Sequence, residues 1–221
     1  MKSKDLKFVA HRTKGKVSAL LQVPKMSDVI VVLGHGAGAG MSHANMDGIA
    51  NALHANRIAT FRYQFPFMER GGGRDSLEVS LATIGNAVAQ AQQLEPKLRL
   101  LAGGHSFGGR MTSLAAAELK LSVEGLVFFA FPLHPPGKRS AKRADHLPSI
   151  EIPMLFLTGT RDRLFDLELF DPVRKKLGRR AELHLIETAD HGYKILKRTR
   201  KSKESVFDEM ARVTRHWVDG V

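Results

Sequence analysis

Residues 98–120 constrain the fold of this chain more strongly than any other stretch. The apolar run at residues 98–102 is short and is followed by glycines, which is typical of a strand covered on both faces of a sheet. Residues 111–120 are rich in helix-forming side chains. Because Gly104-His105-Ser106-Phe107-Gly108 stands between them, the stretch predicts a buried strand, a sharp turn that carries a serine, and a helix.

The turn matches the pattern G-x-S-x-G, a nucleophile elbow in which the serine adopts a strained backbone conformation and its hydroxyl projects from the top of the sheet. Glycine is expected on both sides, because a side chain at Gly104 or Gly108 would collide with the neighbouring strand or hold the helix away from the sheet. Three fixed positions also fit a glycine-rich turn that contains a serine by chance. The rest of the chain therefore has to distinguish the two interpretations.

Apolar runs and helical patterns alternate along the rest of the chain. The runs predict strands at residues 6–11, 16–23, 29–33, 58–65, 125–131, 154–158 and 181–187, the first two as a hairpin at a sheet edge. The helical patterns predict helices at residues 46–56, 75–95 and 203–218, with Asp75 as the cap of the second. This alternation favours a single α/β domain over residues 1–221, with a mostly parallel twisted sheet and helices on both faces.

Candidate functional residues follow three of these strands, and the carboxyl ends of parallel strands meet at the edge of a sheet where ligands bind. A glycine-rich loop at residues 34–40 comes after one strand, Asp162 after a second and His191 after a third. Together with Ser106 they follow the chain order serine, aspartate, histidine. Asp166 is a competing acid four residues further on, and capping the next helix is the alternative role for Asp162.

These residue types support nucleophilic catalysis. A serine hydroxyl is a weak nucleophile at its free pKa, so a neutral imidazole within hydrogen-bond reach has to accept its proton. His191 is the candidate base for Ser106, and Asp162 would orient the imidazole and stabilise its cation. Backbone N–H groups of Phe107 and Ala37 would form the oxyanion hole. The set predicts acyl transfer to water through an acyl-serine intermediate, with an ester, thioester or lactone as the small-molecule substrate.

With this order of residues on separate strand ends, the chain resembles the α/β-hydrolase superfamily over nearly its whole length. Four segments carry a narrower likeness: Leu33-Gly-His-Gly-Ala-Gly-Ala-Gly40, Arg62-Tyr-Gln-Phe-Pro66, Gly103-Gly-His-Ser-Phe-Gly-Gly-Arg110 and Phe131-Pro-Leu-His-Pro-Pro-Gly137. On them the chain resembles the branch that contains testis-expressed protein 30 and the hydrolase-like region of the non-specific lethal complex subunit 3. That branch is similar to dienelactone hydrolases in having little or no lid. The resemblance implies the fold and the triad, and it leaves the substrate open because some members serve in protein complexes.

The remaining histidines and the glycine loop indicate no cofactor. His35 and His105 lie inside motifs and are expected to be structural, whereas His43 and His134 could line the pocket. No histidine pair stands at metal-ligand spacing, so we expect no metal. The loop at residues 34–40 lacks the G-K-[S/T] end of a P-loop, and the acidic residue that a dinucleotide fingerprint needs about 20 positions later is missing. A dinucleotide enzyme stays a rival, because the relaxed G/A form of the fingerprint fits.

Composition limits the class of protein further. The chain has no cysteine, which excludes disulfides, cysteine nucleophiles and cysteine-bound metals. It has no apolar run of the roughly 18 residues that a membrane span needs, and residues 1–12 lack the apolar core of a signal peptide. We therefore expect a cytoplasmic protein that does not associate with membranes.

The charge of the chain is strongly positive, with a net charge of +12 and a pI near 10.2. Basic residues concentrate at residues 138–143, 174–180 and 194–203. The last stretch begins three residues after His191, so a positive field near the site would favour anionic esters, or acyl groups with a carboxylate or phosphate. A solvated surface is the simpler explanation. The alternative function is a non-catalytic interaction module whose basic surface binds nucleic acid or an acidic protein partner.

Overall fold

The computed structural model describes residues 3–221, in which eight strands form one sheet. The strands are β1 (Lys4–His11), β2 (Gly15–Gln22), β3 (Val29–Gly34), β4 (Ile58–Tyr63), β5 (Arg99–His105), β6 (Gly125–Phe129), β7 (Met154–Gly159) and β8 (Ala181–Ile186). Their order across the sheet is β1-β2-β4-β3-β5-β6-β7-β8. The hairpin of β1 and β2 is antiparallel and forms one edge, as predicted, and the strands from β3 to β8 all run parallel.

Within the same residues, six α-helices cover the two faces of the sheet. They are α1 (Ala44–Ala55), α2 (Pro66–Arg70), α3 (Leu77–Leu94), α4 (Phe107–Leu119), α5 (Leu167–Leu177) and α6 (Val206–Gly220). On one face, α3, α4 and α5 bury side chains such as Ile84, Met111 and Phe170. On the other face, α1 and α6 pack together over a core that includes Leu53 and Trp217. In the part of the chain that the structure describes, no helix is long and apolar enough to cross a membrane.

The centre of the sheet positions the functional residues. All residues of β3 are buried, and its valine, isoleucine and leucine side chains favour a strand that is covered on both faces. β3 and β5 are parallel neighbours with Gly34 paired to Gly104, so the loops that follow them emerge side by side. The predicted α/β-hydrolase fold is confirmed, and residues 3–221 contain no separate lid domain.

The N-terminus of α3 differs from the prediction that Asp75 is its cap. Ser76 is the cap, and its hydroxyl accepts a hydrogen bond from the Val79 N–H at 3.3 Å. Asp75 instead forms ion pairs with Lys14 at 3.3 Å and Arg70 at 2.9 Å. Aspartate and serine are similarly good caps, so the prediction was wrong by one residue because the two cations hold Asp75 away from the helix.

The connections at the carboxyl ends of the parallel strands contain two helices that the hydrophobic pattern of the sequence does not predict. The strand predicted at residues 58–65 ends at Tyr63, and Phe65 caps α2, a helix of five residues with Pro66 at its start. Such a short helix shows no periodicity, and α5 contains Pro172. The proline-rich segment 132–153 is irregular, as predicted, with 3-10 turns at Lys142–Ala144 and Leu147–Ser149.

Candidate active site

Ser106 occupies the turn between β5 and α4. Its backbone has φ 51° and ψ −110°, a conformation that residues other than glycine rarely adopt. Its N–H donates a hydrogen bond to the Phe129 carbonyl of β6 at 2.9 Å, which holds the turn against the sheet. Strain of this kind costs about 1–3 kcal/mol and persists only where the surrounding structure imposes it.

Two glycines flank Ser106 because the end of β3 leaves no space for side chains. A Cβ at Gly104 would lie 2.3 Å from the Gly34 carbonyl oxygen, and a Cβ at Gly108 would lie 2.2 Å from the same atom. The predicted collision with the neighbouring strand is confirmed. As a result, α4 starts directly against β3, and its first N–H groups lie near the carboxyl end of that strand.

His191 lies between Ser106 and Asp162 and contacts both. Its Nε2 is 2.8 Å from Ser106 Oγ, and its Nδ1 is 2.9 Å from Asp162 Oδ2. The Asp162 side chain is completely buried and also accepts hydrogen bonds from the Leu164 N–H at 2.8 Å and the Thr158 hydroxyl at 3.4 Å. Because a carboxylate accepts at Nδ1, the ring carries its hydrogen there and presents Nε2 as an acceptor to the serine hydroxyl.

Asp166, the competing acid in the sequence, lies in another environment. It caps α5 by accepting a hydrogen bond from the Leu169 N–H at 3.1 Å, and it pairs with Arg139. The structure therefore brings Asp162, and not Asp166, to His191.

Residues before and after His191 fix the loop that carries it through hydrogen bonds. Tyr193 is buried, and its hydroxyl donates to the Leu157 carbonyl of β7 at 3.0 Å. The Asp190 carboxylate accepts a hydrogen bond from the Gly192 N–H at 2.9 Å. These contacts leave the imidazole 26% exposed, so solvent reaches the ring.

His105 provides a further contact to this loop. Its Nε2 is 3.3 Å from the His191 carbonyl oxygen. Burial is the main cause that lowers the pKa of His105 to about 4, and the charge of the neighbouring His191 lowers it further. The ring is therefore neutral near pH 7. The sequence indicates a structural role for His105, and its position directly before Ser106 is the only signal for this contact across the site.

The other histidines singled out in the sequence make hydrogen bonds to nearby backbone groups. His35 is fully buried, and its Nε2 accepts a hydrogen bond from the Phe65 N–H at 3.0 Å. Burial lowers the pKa of His35 to about 4. His43 caps α1, and His134 is buried with its ring against a backbone carbonyl. Across residues 3–221, no three His, Asp or Glu side chains are grouped as metal ligands.

The two backbone groups predicted for an oxyanion hole belong to elements beside Ser106. Phe107 is the first residue of α4, so its N–H has no acceptor within the helix. Ala37 is half-buried in the glycine loop that follows β3. In that loop, a Cβ at Gly36 would be 3.2 Å from the His105 ring. The loop therefore lies against the turn that carries Ser106.

Aromatic side chains and basic side chains border the site on different sides of β5. The Phe107 ring packs on Phe65 and Phe67 after β4, with ring centroids 5.2 and 5.8 Å apart. On the β8 side, a groove of about 450 Å³ is lined by Arg161, Arg163, Asp190, His191, Gly192 and Lys194. Because Lys194 lines this groove, the basic stretch at residues 194–203 does begin at the mouth of the site.

This fold and this geometry define an α/β hydrolase. The family model of the alpha/beta hydrolase domain matches residues 27–219, and the chain belongs to that family. Among solved structures, it is similar to a dienelactone hydrolase from Anabaena variabilis, with a TM-score of 0.73 and 17% identity over 100% of this chain and 99% of that chain. It is also similar to an α/β serine hydrolase without a lid from Xanthomonas campestris, with a TM-score of 0.74 and 17% identity over 100% and 95% of the two chains. Est1E from Butyrivibrio proteoclasticus, solved with ferulic acid bound, gives a TM-score of 0.73 and 17% identity over 93% and 95%.

Proposed function

We propose that this protein is a serine hydrolase that cleaves an ester, thioester or lactone through an acyl-serine intermediate. The observation that carries the proposal is the continuous series of Ser106, His191 and Asp162, with contacts of 2.8 and 2.9 Å. A module that only bound partners would need neither these contacts nor the strained backbone of Ser106. The serine hydrolase among the similar structures supports the same class of reaction.

The first half of the proposed reaction forms the acyl-enzyme. Ser106 Oγ attacks the carbonyl carbon of the substrate while His191 Nε2 accepts the hydroxyl proton. Asp162 holds the Nδ1 hydrogen and stabilises the imidazolium. His191 then donates its proton to the leaving oxygen or sulfur, and the acyl group stays on Ser106.

The second half repeats these steps with water as the nucleophile and Ser106 Oγ as the leaving atom. His191 accepts a proton from a water molecule, which attacks the acyl carbon, and the carboxylic acid leaves as Ser106 regains its proton. In each half, the negative oxygen of the tetrahedral intermediate would accept hydrogen bonds from the N–H groups of Phe107 and Ala37. Loss of one such donor typically costs about 2.7–4 kcal/mol of transition-state stabilisation.

We further propose that the chain belongs to the branch that contains testis-expressed protein 30 and the hydrolase-like region of the non-specific lethal complex subunit 3. The motifs at residues 33–40, 62–66, 103–110 and 131–137 support this assignment, because they carry the resemblance to that branch. Arg62 in the second motif is buried and donates to the Met41 carbonyl at 3.0 Å, which ties the glycine-loop region to β4.

Turnover of a panel of small esters, thioesters and lactones tests the proposal, with Ser106→Ala and Ser113→Ala as a matched pair of variants. The Ser113 hydroxyl also lies 2.7 Å from a histidine, His146 Nε2, but Ser113 is a fully buried residue of α4. We expect Ser106→Ala to fold and lose turnover, and Ser113→Ala to keep it. Turnover by Ser106→Ala equal to that of the wild type would contradict the proposal. Salt-sensitive binding to nucleic acid without any turnover would support the interaction module instead.

A further inference from the structure

Three arginines surround the start of α4, directly after Ser106. The Arg74 guanidinium lies over the Phe107 ring, 5.6 Å from its centroid. Arg110 follows Ser106 by one helical turn, and its Nε is buried without a hydrogen-bond partner. Arg143, in the 3-10 turn Lys142–Ala144, is half-buried and lies close enough for its charge to act on Arg110. We refer to Arg74, Arg110 and Arg143 as the arginine cluster.

The arginine cluster is not neutralised by the protein. Across residues 3–221, none of its members forms an ion pair with an aspartate or glutamate, whereas the buried Arg62 and Arg200 pair with Asp47 and Glu209. Arg74 is exposed, whereas Arg110 and Arg143 are partly buried. Leaving a partly buried cation without a partner is unfavourable, since burial removes water without supplying a counter-charge. A purely structural role does not account for this arrangement.

The members of the cluster also repel one another. Burial, together with the charge of Arg143, lowers the pKa of Arg110. Burial and the charge of Arg74 lower the pKa of Arg143 in the same way. A bound oxyanion would relieve both effects, because guanidinium groups bind carboxylate and phosphate oxygens through paired, charge-assisted hydrogen bonds.

The position of the cluster indicates which part of a substrate it would meet. α4 lies on the sheet face that carries α3 and α5, whereas Tyr193, in the His191 loop, packs in the core beneath α1 and α6. His191 has to reach the leaving atom to protonate it, so the leaving group extends toward His191. The acyl group then extends toward Phe107 and the arginine cluster.

We propose that the arginine cluster binds an oxyanion at the far end of the acyl group, so that the enzyme prefers acyl chains that end in a carboxylate or phosphate-like group. The Phe107 ring, backed by Phe65 and Phe67, would contact the apolar part of the chain between the carbonyl and the anion. This inference rests on the proposed serine-hydrolase function and specifies its substrate class.

Matched esters test the inference. Mono-4-nitrophenyl adipate and 4-nitrophenyl hexanoate share the acyl length and the leaving group and differ by a terminal carboxylate. A phosphonate of equal length distinguishes the two kinds of oxyanion. We expect the wild-type ratio of kcat/KM, anionic over neutral ester, to be about tenfold or more, and Arg110→Gln or Arg143→Gln to lower that ratio toward one, a loss of about tenfold, as expected for loss of a charge-assisted hydrogen bond.

Lys142→Gln is the control, since Lys142 is exposed in the same 3-10 turn as Arg143 and carries the same charge outside the cluster. Fluorophosphonate labelling of each variant reports separately on the serine machinery. A wild-type ratio near one, or an equal loss in Lys142→Gln and Arg143→Gln, would overturn the inference while labelling persists. Absence of both labelling and turnover in the wild type would overturn the proposed function and the inference together.

Discussion

Ser106 adopts a backbone conformation that glycine tolerates much better than any residue with a Cβ, with φ 51° and ψ −110°. We therefore expect Ser106→Gly to be more stable than Ser106→Ala by about 1 kcal/mol or more, because only the glycine variant releases the strain. Thermal or urea unfolding of the two variants measures the difference. If Ser106→Ala were equally or more stable, the turn would not be strained by its Cβ.

The second prediction at the residue scale concerns the acid. Asp162→Asn keeps the shape of the side chain but no longer fixes the imidazole tautomer, and in a Ser-His-Asp triad this change costs about 10⁴-fold in kcat. Asp166→Asn should keep most activity, because asparagine caps a helix as well as aspartate does. Ester turnover by the two variants checks the ranking, and the reverse ranking would exclude Asp162 as the acid partner of His191.

The sequence points to Ser106 and His191 individually, because each lies in a glycine-containing turn after an apolar run. It favours Asp162 as the acid but leaves Asp166 as a competitor, since both follow β7 within one loop. Only the register of that loop, with the Asp162 carboxylate accepting from the Leu164 N–H at 2.8 Å, turns Asp162 toward the histidine.

Among the helices, α4 makes the closest approach to the backbone of another element. A Cβ at Gly108 would lie 2.2 Å from the Gly34 carbonyl oxygen, whereas a Cβ at Gly85 in α3 would meet only the Leu119 side chain at 3.6 Å. We expect Gly108→Ala to destabilise the fold by about 1–3 kcal/mol through overpacking. The control Gly85→Ala should be neutral or stabilising by up to about 1 kcal/mol, because alanine favours a helix.

The free energy of unfolding of both variants, measured in urea, checks this prediction. An unchanged stability in Gly108→Ala would mean that α4 can move away from β3 without cost. A loss in Gly85→Ala equal to that in Gly108→Ala would show a general effect of alanine in these helices rather than a collision at the catalytic turn.

Elements with one clear pattern were predictable: β3 is a continuous apolar run, and α6 carries apolar side chains at helical spacing. The short helix α2 was not, because five residues beginning at Pro66 carry no helical pattern. The arginine cluster was not predictable either. Its members come from the segment before α3, from α4 and from the β6–β7 connection, so no local spacing relates them and only the tertiary fold brings them together.

For the whole molecule, the net charge of +12 is the excess that remains after all acidic side chains are counted, and several basic side chains form ion pairs with those acids. Arg139 pairs with Asp166, Lys175 with Asp171, and the buried Arg200 with Glu209. The basic stretches therefore contribute less free positive charge than their composition indicates. The arginine cluster has no acidic partner and lies at the start of α4, and Lys194 lines the groove beside His191. The positive potential of these groups would steer anions toward this part of the molecule.

Stability should also depend on pH through the buried histidines. In the folded state, the pKa values of His35, His105 and His146 lie near 4 because of burial, against an ordinary value of 6.5. The unfolded chain thus binds more protons than the folded chain between these values, and the free energy of unfolding falls as the pH drops from 6.5 to about 4. For the fully buried His35, the shift corresponds to at most roughly 3 kcal/mol.

Urea unfolding as a function of pH measures this effect. His35→Gln, whose amide oxygen can still accept from the Phe65 N–H, should show a shallower loss of stability on acidification, whereas His216→Gln at an exposed position of α6 should follow the wild type. A wild-type stability that does not fall across this range, or an unchanged slope in His35→Gln, would contradict the burial of a neutral imidazole.

The central claim, that His191 and Asp162 activate Ser106 for acyl transfer, is tested most directly by fluorophosphonate labelling followed by peptide mapping of the adduct. The account predicts one adduct per chain, on Ser106, formed rapidly by the wild type, slowly by Asp162→Asn and not at all by Ser106→Ala. Failure of the folded wild type to label, or an adduct on any other residue that persists in Ser106→Ala, would contradict it.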